Sequence, residues 1–250
     1  MKKKLILVLF LVATLSLNAQ TVKDSIKVEP KPQLKFNFKQ VIIPAVCIGY
    51  GVWGLENHNI QLFNNEIREE VIEDIDGKLT IDDFSQYTPA ATALGLSALG
   101  IKGKNTFKDK AIILSTSYII MGLAVNVLKK TSSSERPDGS GNNSFPSGHT
   151  ATAFMGAELL YQEYKDVSVW YGISGYVVAA GTGAFRIYNN KHWLSDVVAG
   201  AGIGILSTKA AYWLFPMVNK LFTKKEKDSR TSFVPFYDGR TVGFGYVSQF

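Results

Sequence analysis

Three short segments of this chain hold residue types that are costly beside apolar helices and useful around an oxyanion. Lys129 stands with Arg136-Pro137, then comes Pro146-Ser147-Gly148-His149, and then Arg186 with His192 and Asp196. The chain has 3 histidines, and two of them lie in these segments. His192 and Asp196 are four apart, so on a helix they share a face, where a carboxylate fixes the tautomer of an imidazole and stabilises the imidazolium. A histidine held in that way is prepared to attack. Ser147, Gly148 and His149 follow Pro146 at a helix start, where free backbone N–H groups and the helix dipole favour an anion. Lys129, Arg136 and Arg186 supply cations, and an arginine can fork onto two oxygens of a phosphate. His149 is left to protonate a leaving oxygen, a general-acid role worth roughly 100- to 10,000-fold.

Helices must carry these segments to one place. Apolar stretches run over 90–101, 111–128, 151–164, 167–185 and 194–214. If the last four alternate up and down, Lys129 ends an up-helix, His149 starts a down-helix, Arg186 ends an up-helix and His192 starts a down-helix. All three segments then meet at one end of an all-α bundle. Gly172, Gly175, Gly181 and Gly183, and then Gly200, Gly202 and Gly204, let backbones approach closely, a device of membrane bundles and of tight soluble ones. Glu158, Gln162 and Glu163 make their helix too polar to face lipid, so it belongs inside the bundle or in water.

The remaining segments set the compartment. Lys2, Lys3 and Lys4 precede the apolar run Leu5 to Leu15 and then Ser16-Leu17-Asn18-Ala19, the order of a secretory signal over 1–19, with an uncleaved anchor as the alternative. Residues 20–40, with Pro30 and Pro32, read as a linker. Val41 to Leu55 is short for a span and carries Pro44, which makes it a buried or interfacial helix opening a domain over 41–222. Asn57 to Gln86 reads as a polar, acidic loop with one amphipathic helix near Ile60 to Ile72. Over 223–250 a charged connector leads to two runs of aromatic and β-branched residues around Asp238-Gly239, a hairpin signal.

Formal net charge is +6, half of it from Lys2 to Lys4, so the global sign argues little for nucleic acid. A mean hydropathy of +0.05 does not by itself separate a soluble enzyme from a membrane protein. The lone Cys47 excludes an intrachain disulfide and reads as a small apolar residue. Lys102, Lys104, Lys108 and Lys110, with Lys224, Lys225 and Lys227, read as the cytoplasmic flank, which puts Lys129 and the site on the outer face. His58, alone among polar neighbours, takes no role. His149, His192 and Asp196 are possible zinc ligands by type, but a lysine and two arginines aimed at the same point repel a dication.

Lys129-x6-Arg136-Pro137, Pro146-Ser147-Gly148-His149 and Arg186-x5-His192-x3-Asp196 together resemble the three-part signature of the type 2 phosphatidic acid phosphatase and vanadium haloperoxidase superfamily. The match covers 129–196 directly. The resemblance implies a helical bundle of that kind, a phosphohistidine on His192 oriented by Asp196, and His149 as general acid. It also implies phosphate held by Lys129, Arg136, Ser147, Gly148 and Arg186, with no metal and no cofactor. Phe185 departs from the Ser that commonly precedes the arginine, and the short interval from Pro137 to Pro146 is closer to the membrane lipid phosphatases than to the soluble enzymes.

The leading expectation is a phosphatase of the bacterial cell envelope, in the inner membrane with its site facing the periplasm, acting on a phosphorylated lipid. Three alternatives stay open. They are a soluble periplasmic or outer-membrane-associated acid phosphatase, a haloperoxidase that takes vanadate as cofactor, and a non-catalytic protein that binds a phosphorylated headgroup.

Overall fold

The apolar stretches become helices whose ends are set by capping side chains. In the computed structural model, described for residues 34, 36–73, 80–222, 231–237 and 242–248, eight helices precede a two-stranded hairpin. The first four are α1 (Lys39–Trp53), α2 (His58–Glu73), α3 (Ile81–Ser85) and α4 (Thr88–Ala98). The four long ones follow: α5 (Phe107–Ser132), α6 (Gly148–Tyr164), α7 (Val169–Tyr188) and α8 (Leu194–Phe222). Thr106 caps α5 by accepting from the Asp109 N–H at 3.2 Å, Ser147 caps α6 from Thr150, and Ser168 caps α7 from Trp170.

α6 is the axis of the bundle. Thirteen of its 17 residues are buried, and its side chains enter each apolar cluster. Leu159, Leu160 and Tyr164 pack with Ile113, Tyr212 and Phe215. Ala151 and Met155 pack with Met121, Val125 and Ile203. Ala153 and Ala157 pack with Ala179. Its charged and amide side chains are buried too, each with partners. Glu158 accepts from Lys209 at 2.5 Å, from Gln162 at 2.7 Å and from the Tyr176 hydroxyl. Glu163 accepts from Tyr212 and Asn105, both at 2.6 Å, and lies 3.9 Å from Lys110. The polar residues of this helix are therefore inside the bundle, one of the two placements expected of them.

Lys110 corrects the reading of a lysine flank. It is fully buried, donates to the Tyr164 hydroxyl at 2.8 Å and stands 4.5 Å from the centre of that ring. Lys102 and Lys108 are exposed, as expected of a flank. Lys224, Lys225 and Lys227 lie outside the described residues, as do the signal over 1–19, most of the linker and the Asp238-Gly239 turn.

α5 and α8, of 26 and 29 residues, are long and apolar enough to cross a membrane. At 1.5 Å per residue each spans roughly 39 Å or more, beyond a hydrocarbon core of about 30 Å. Ile119, Leu123 and Val127 form an exposed stripe down α5 at helical spacing. α1 is too short to span; it packs on α8 and turns Ile42, Ile43, Val46 and Trp53 outward.

α8 meets α6 closely where Gly200 and Gly204 face it. A β-carbon at Gly200 would stand 2.5 Å from the Ser147 carbonyl oxygen, and one at Gly204 would overlap the Ala151 carbonyl. The hairpin pairs β1 (Thr231–Tyr237) with β2 (Val242–Ser248) antiparallel, Thr231 opposite Ser248 and Tyr237 opposite Val242.

Candidate active site

The turn before α8 brings His192 and Asp196 together. His192 follows the end of α7, its N–H 3.3 Å from the Arg186 carbonyl, and Asp196 lies in the first turn of α8. Nδ1 of His192 is 3.6 Å from Asp196 Oδ2, and both side chains are almost fully buried. The same carboxylate oxygen accepts from the Ser144 hydroxyl at 2.5 Å and from the Trp193 N–H at 2.9 Å. Ser144 Oγ also stands 3.4 Å from Nδ1. Nδ1 thus faces the carboxylate and the hydroxyl, which leaves Nε2 without a partner among the described residues. Burial pushes the imidazole pKa down to about 4; the Asp196 contact and charge oppose this in part, and Lys129 and Arg186 add to it. His192 is neutral at pH 7, the form with a lone pair to give.

The second segment is tied to the third through its backbone. The Ser147 N–H donates to the Asp196 carbonyl at 3.0 Å, and Ser147 Oγ caps α6, 3.4 Å from the Thr150 N–H and 2.8 Å from Thr150 Oγ1. Ser147 therefore already holds both of its polar groups on the protein. The N–H groups of Gly148 and His149, in the first turn, are the ones that remain for an anion.

The cations close in from three sides. Lys129, near the end of α5, donates to the carbonyls of Asn143 at 2.5 Å and Ser144 at 3.4 Å. Arg136 donates through Nε to Asn143 Oδ1 at 2.8 Å. Arg186, in the last turn of α7, donates through Nη1 to Asp82 and keeps a buried Nε with no partner among the described residues. An orphaned buried guanidinium N–H is costly in a protein without ligand, and an oxyanion would satisfy it. The fold gathers all eight candidate residues at one end of the bundle.

Sequence reasoning missed the residues that hold them. Asn143 and Ser144 come from the loop between the first two segments. Asp82 and Asp83 come from α3, inside the stretch expected to be loop. Asp82 is 1% exposed and also accepts from Asn189 at 2.9 Å, while Asp83 Oδ1 lies 3.0 Å from His149 Nε2. Two adjacent acids beside Ile81 and Phe84 were the available signal, a weak one because exposed acids are common. Asp82, Asp83 and His149 bring three ligand-type atoms within 4.8 Å of one another, but Arg186 already neutralises Asp82. At the position of the commonly found Ser, Phe185 packs edge-on against Tyr188.

A cavity of about 570 Å³ opens beside Trp193, Ser195 and Asp196, walled by Asn64, Asn65 and Glu135. Lys129, Arg136, His149 and Arg186 do not line it, so the cavity and the anion cradle are separate features.

A sequence profile described as the PAP2 superfamily matches residues 110–220, which takes in all three segments. Over that span the chain is similar to the PAP2 superfamily. Among curated proteins, the chain is 40% identical over 162 residues to the lipid A 1-phosphatase of Porphyromonas gingivalis, covering 62% of this chain and 36% of that one. It is 35% identical over 78 residues to the bacitracin transport permease protein BcrC of Bacillus licheniformis, covering 31% and 36%. The chain thus spans about a third of the length of the curated relatives it matches. Among solved structures, a transmembrane PAP2-type phosphatidylglycerolphosphate phosphatase from Bacillus subtilis aligns with a TM-score of 0.47 and 17% identity, covering 76% of this chain and all of that one.

Proposed function

We propose that this protein is a membrane phosphatase of the cell envelope that removes a phosphate from a lipid through a phosphohistidine on His192. The observation that carries it is the arrangement around that ring. A neutral, buried imidazole is held through Nδ1 by Asp196 and Ser144, and Nε2 is left free at an end of the bundle ringed by Lys129, Arg136 and Arg186.

In this reading the phosphoryl oxygens lie against Arg186 Nε, the Lys129 and Arg136 cations and the N–H groups of Gly148 and His149. The lone pair of His192 Nε2 attacks phosphorus as the P–O bond to the lipid breaks. His149 delivers a proton to the departing oxygen, and the freed lipid alcohol leaves. Water then gives a proton to His149 and attacks the phosphohistidine, the P–N bond breaks, inorganic phosphate departs, and His192 returns neutral while His149 is again the acid. Asp196 stabilises the positive charge on the ring while the P–N bond lasts. Fixed charges aimed at the transferring group supply most of such a rate enhancement, and no metal is required of them.

The α5 stripe and the length of α8 support a substrate reached from the bilayer, and the exposed Lys102 and Lys108, at the end of α5 opposite Lys129, support a site at the periplasmic face. The likeness to a lipid A 1-phosphatase makes a lipid A phosphate the first substrate to test, before phosphatidic acid, phosphatidylglycerophosphate and isoprenoid pyrophosphate. Phosphate release by the detergent-solubilised protein against that panel and a soluble ester, beside His192→Ala, is the test. Turnover lost in the variant, with trapping of phosphate on His192 in acid-labile form, supports the proposal. Halide oxidation with added vanadate in place of phosphate release would overturn it, as would retention of biological effect in His192→Ala.

A further inference from the structure

Asp83 has no part in the steps above, yet its carboxylate meets the proton donor. Oδ1 lies 3.0 Å from Nε2 of His149, and among the described residues Nδ1 of that ring has no hydrogen-bond partner. The helix that carries Asp83 is pinned on both sides of this contact. On one side Asp82 holds Arg186 and Asn189, and on the other Ser85 Oγ stands 2.8 Å from Thr182 Oγ1 on α7. Asp83 therefore approaches His149 from a fixed platform, although its own side chain is about half exposed.

We propose that Asp83 is the positioning residue of the His149 proton donor, accepting from Nε2–H so that Nδ1–H faces the leaving oxygen. The inference rests on the phosphatase reading and assigns its acid a partner. An imidazole that gives one N–H to a carboxylate carries its exchangeable proton on the other nitrogen and keeps one ring orientation. The site then contains two carboxylate–imidazole pairs with opposite tasks. His192 with Asp196 is buried and neutral, as a nucleophile must be. His149 with Asp83 is nearer to water, where an acid can be recharged after each turnover.

The charges facing His149 divide by helix. Burial and the Arg186 guanidinium on α7 disfavour the imidazolium, while Asp83 and Asp82 on α3 favour it. Neutralising Asp83 leaves the opposing influences stronger, so the acid form persists only to lower pH. Asp82 cannot replace it, because its carboxylate is committed to Arg186 and Asn189.

The test uses the full-length protein in detergent and two esters with the same alkyl tail, one an alkyl phosphate and one a nitrophenyl phosphate. The nitrophenolate leaves without help from an acid, whereas an alkoxide does not. Asp83→Asn is expected to lose about tenfold or more on the alkyl ester, within the span of general-acid effects. The loss on the nitrophenyl ester should be much smaller, which also reports that the variant is folded. The basic limb of kcat on the alkyl ester should move to lower pH by about half a unit or more, a discounted shift for a half-exposed pair. Asp83→Glu should recover part of both effects. Equal losses on the two esters with an unmoved limb would reduce Asp83 to a structural role and overturn the inference, as would full activity of Asp83→Asn. A wild-type protein inactive on both esters, and on the lipid panel, would instead remove the phosphatase reading on which the inference stands.

Discussion

The α-carbon of Gly200 lies directly beneath the carbonyl of Ser147: a β-carbon there would stand 2.5 Å from that oxygen and 3.3 Å from the Thr150 β-carbon. The residue that caps α6 thus rests on the helix that carries Asp196, and its N–H is bonded to the Asp196 carbonyl. Gly200→Ala must push the two helices apart. Overpacking of this kind costs about 1–3 kcal/mol, against at most about 1 kcal/mol gained from alanine's helix propensity. The variant should melt lower and lose kcat/KM by more than its stability loss accounts for, because the cradle and the nucleophile move relative to each other. Thermal unfolding beside steady-state kinetics checks this.

On the proposed mechanism, His192 should set the acid side of the pH profile. Its pKa in the folded protein is about 4, below the ordinary histidine value of 6.5. The unfolded chain therefore takes up more protons between those two values, so the stability associated with neutral His192 is complete above pH 6.5 and is lost as pH falls toward 4. The nucleophile stays neutral over the same range, and the acid limb of kcat/KM should lie below about pH 5. Imidazole titration by NMR in wild type and Asp196→Asn checks the assignment; a His192 midpoint near 6.5 would contradict it.

Asp82 and Arg186 form a buried ion pair, 1% and 8% exposed. Removing one member leaves the other charge buried without its partner, which costs about 3–5 kcal/mol. Asp82→Ala should therefore destabilise the protein by that order and weaken binding of inorganic phosphate, whereas Asp82→Asn should retain part of both. Denaturant titration in detergent and phosphate inhibition constants separate the two effects.

If charge for the phosphate comes from Lys129, Arg136 and Arg186, as proposed, turnover should be unchanged by EDTA. Activity lost on chelation and restored by a divalent cation would redirect attention to Asp82, Asp83 and His149, whose ligand atoms lie within 4.8 Å of one another.

Ile119, Leu123 and Val127 leave α5 with an exposed apolar stripe. The protein is expected in the membrane fraction, extracted by detergent and retained through salt and osmotic shock. Release by osmotic shock alone would refute a membrane-embedded bundle.

Much of the site was legible because its residue types are expensive anywhere else. A lysine, two arginines and two histidines at the ends of apolar helices have few structural uses, and strict alternation of four helices was enough to bring them together. Asp82 and Asp83 escaped notice because acids in a polar stretch are ordinarily solvated, and their partners lie far away in sequence on α6 and α7. Lys110 was misread for the same reason: it neighbours surface lysines in the chain, and only Glu163 and Tyr164, on another helix, reveal that it is inside. Local pattern reports periodicity and composition; it does not report which long-range partner removes a charge from water.

The glycines of α8 also point to both sides. Gly200 and Gly204 admit α6, while Gly202 admits the Pro44 carbonyl and Cys47 of α1. With a neighbour's backbone against each flank, α8 cannot turn about its own axis without collision. Its azimuth, and with it the direction in which Asp196 holds the His192 ring, is set once when the bundle assembles. On the proposed reading, catalysis then starts from a ring already aimed, and libraries of substitutions at these three glycines should be nearly empty of survivors even though none of the three touches the phosphate.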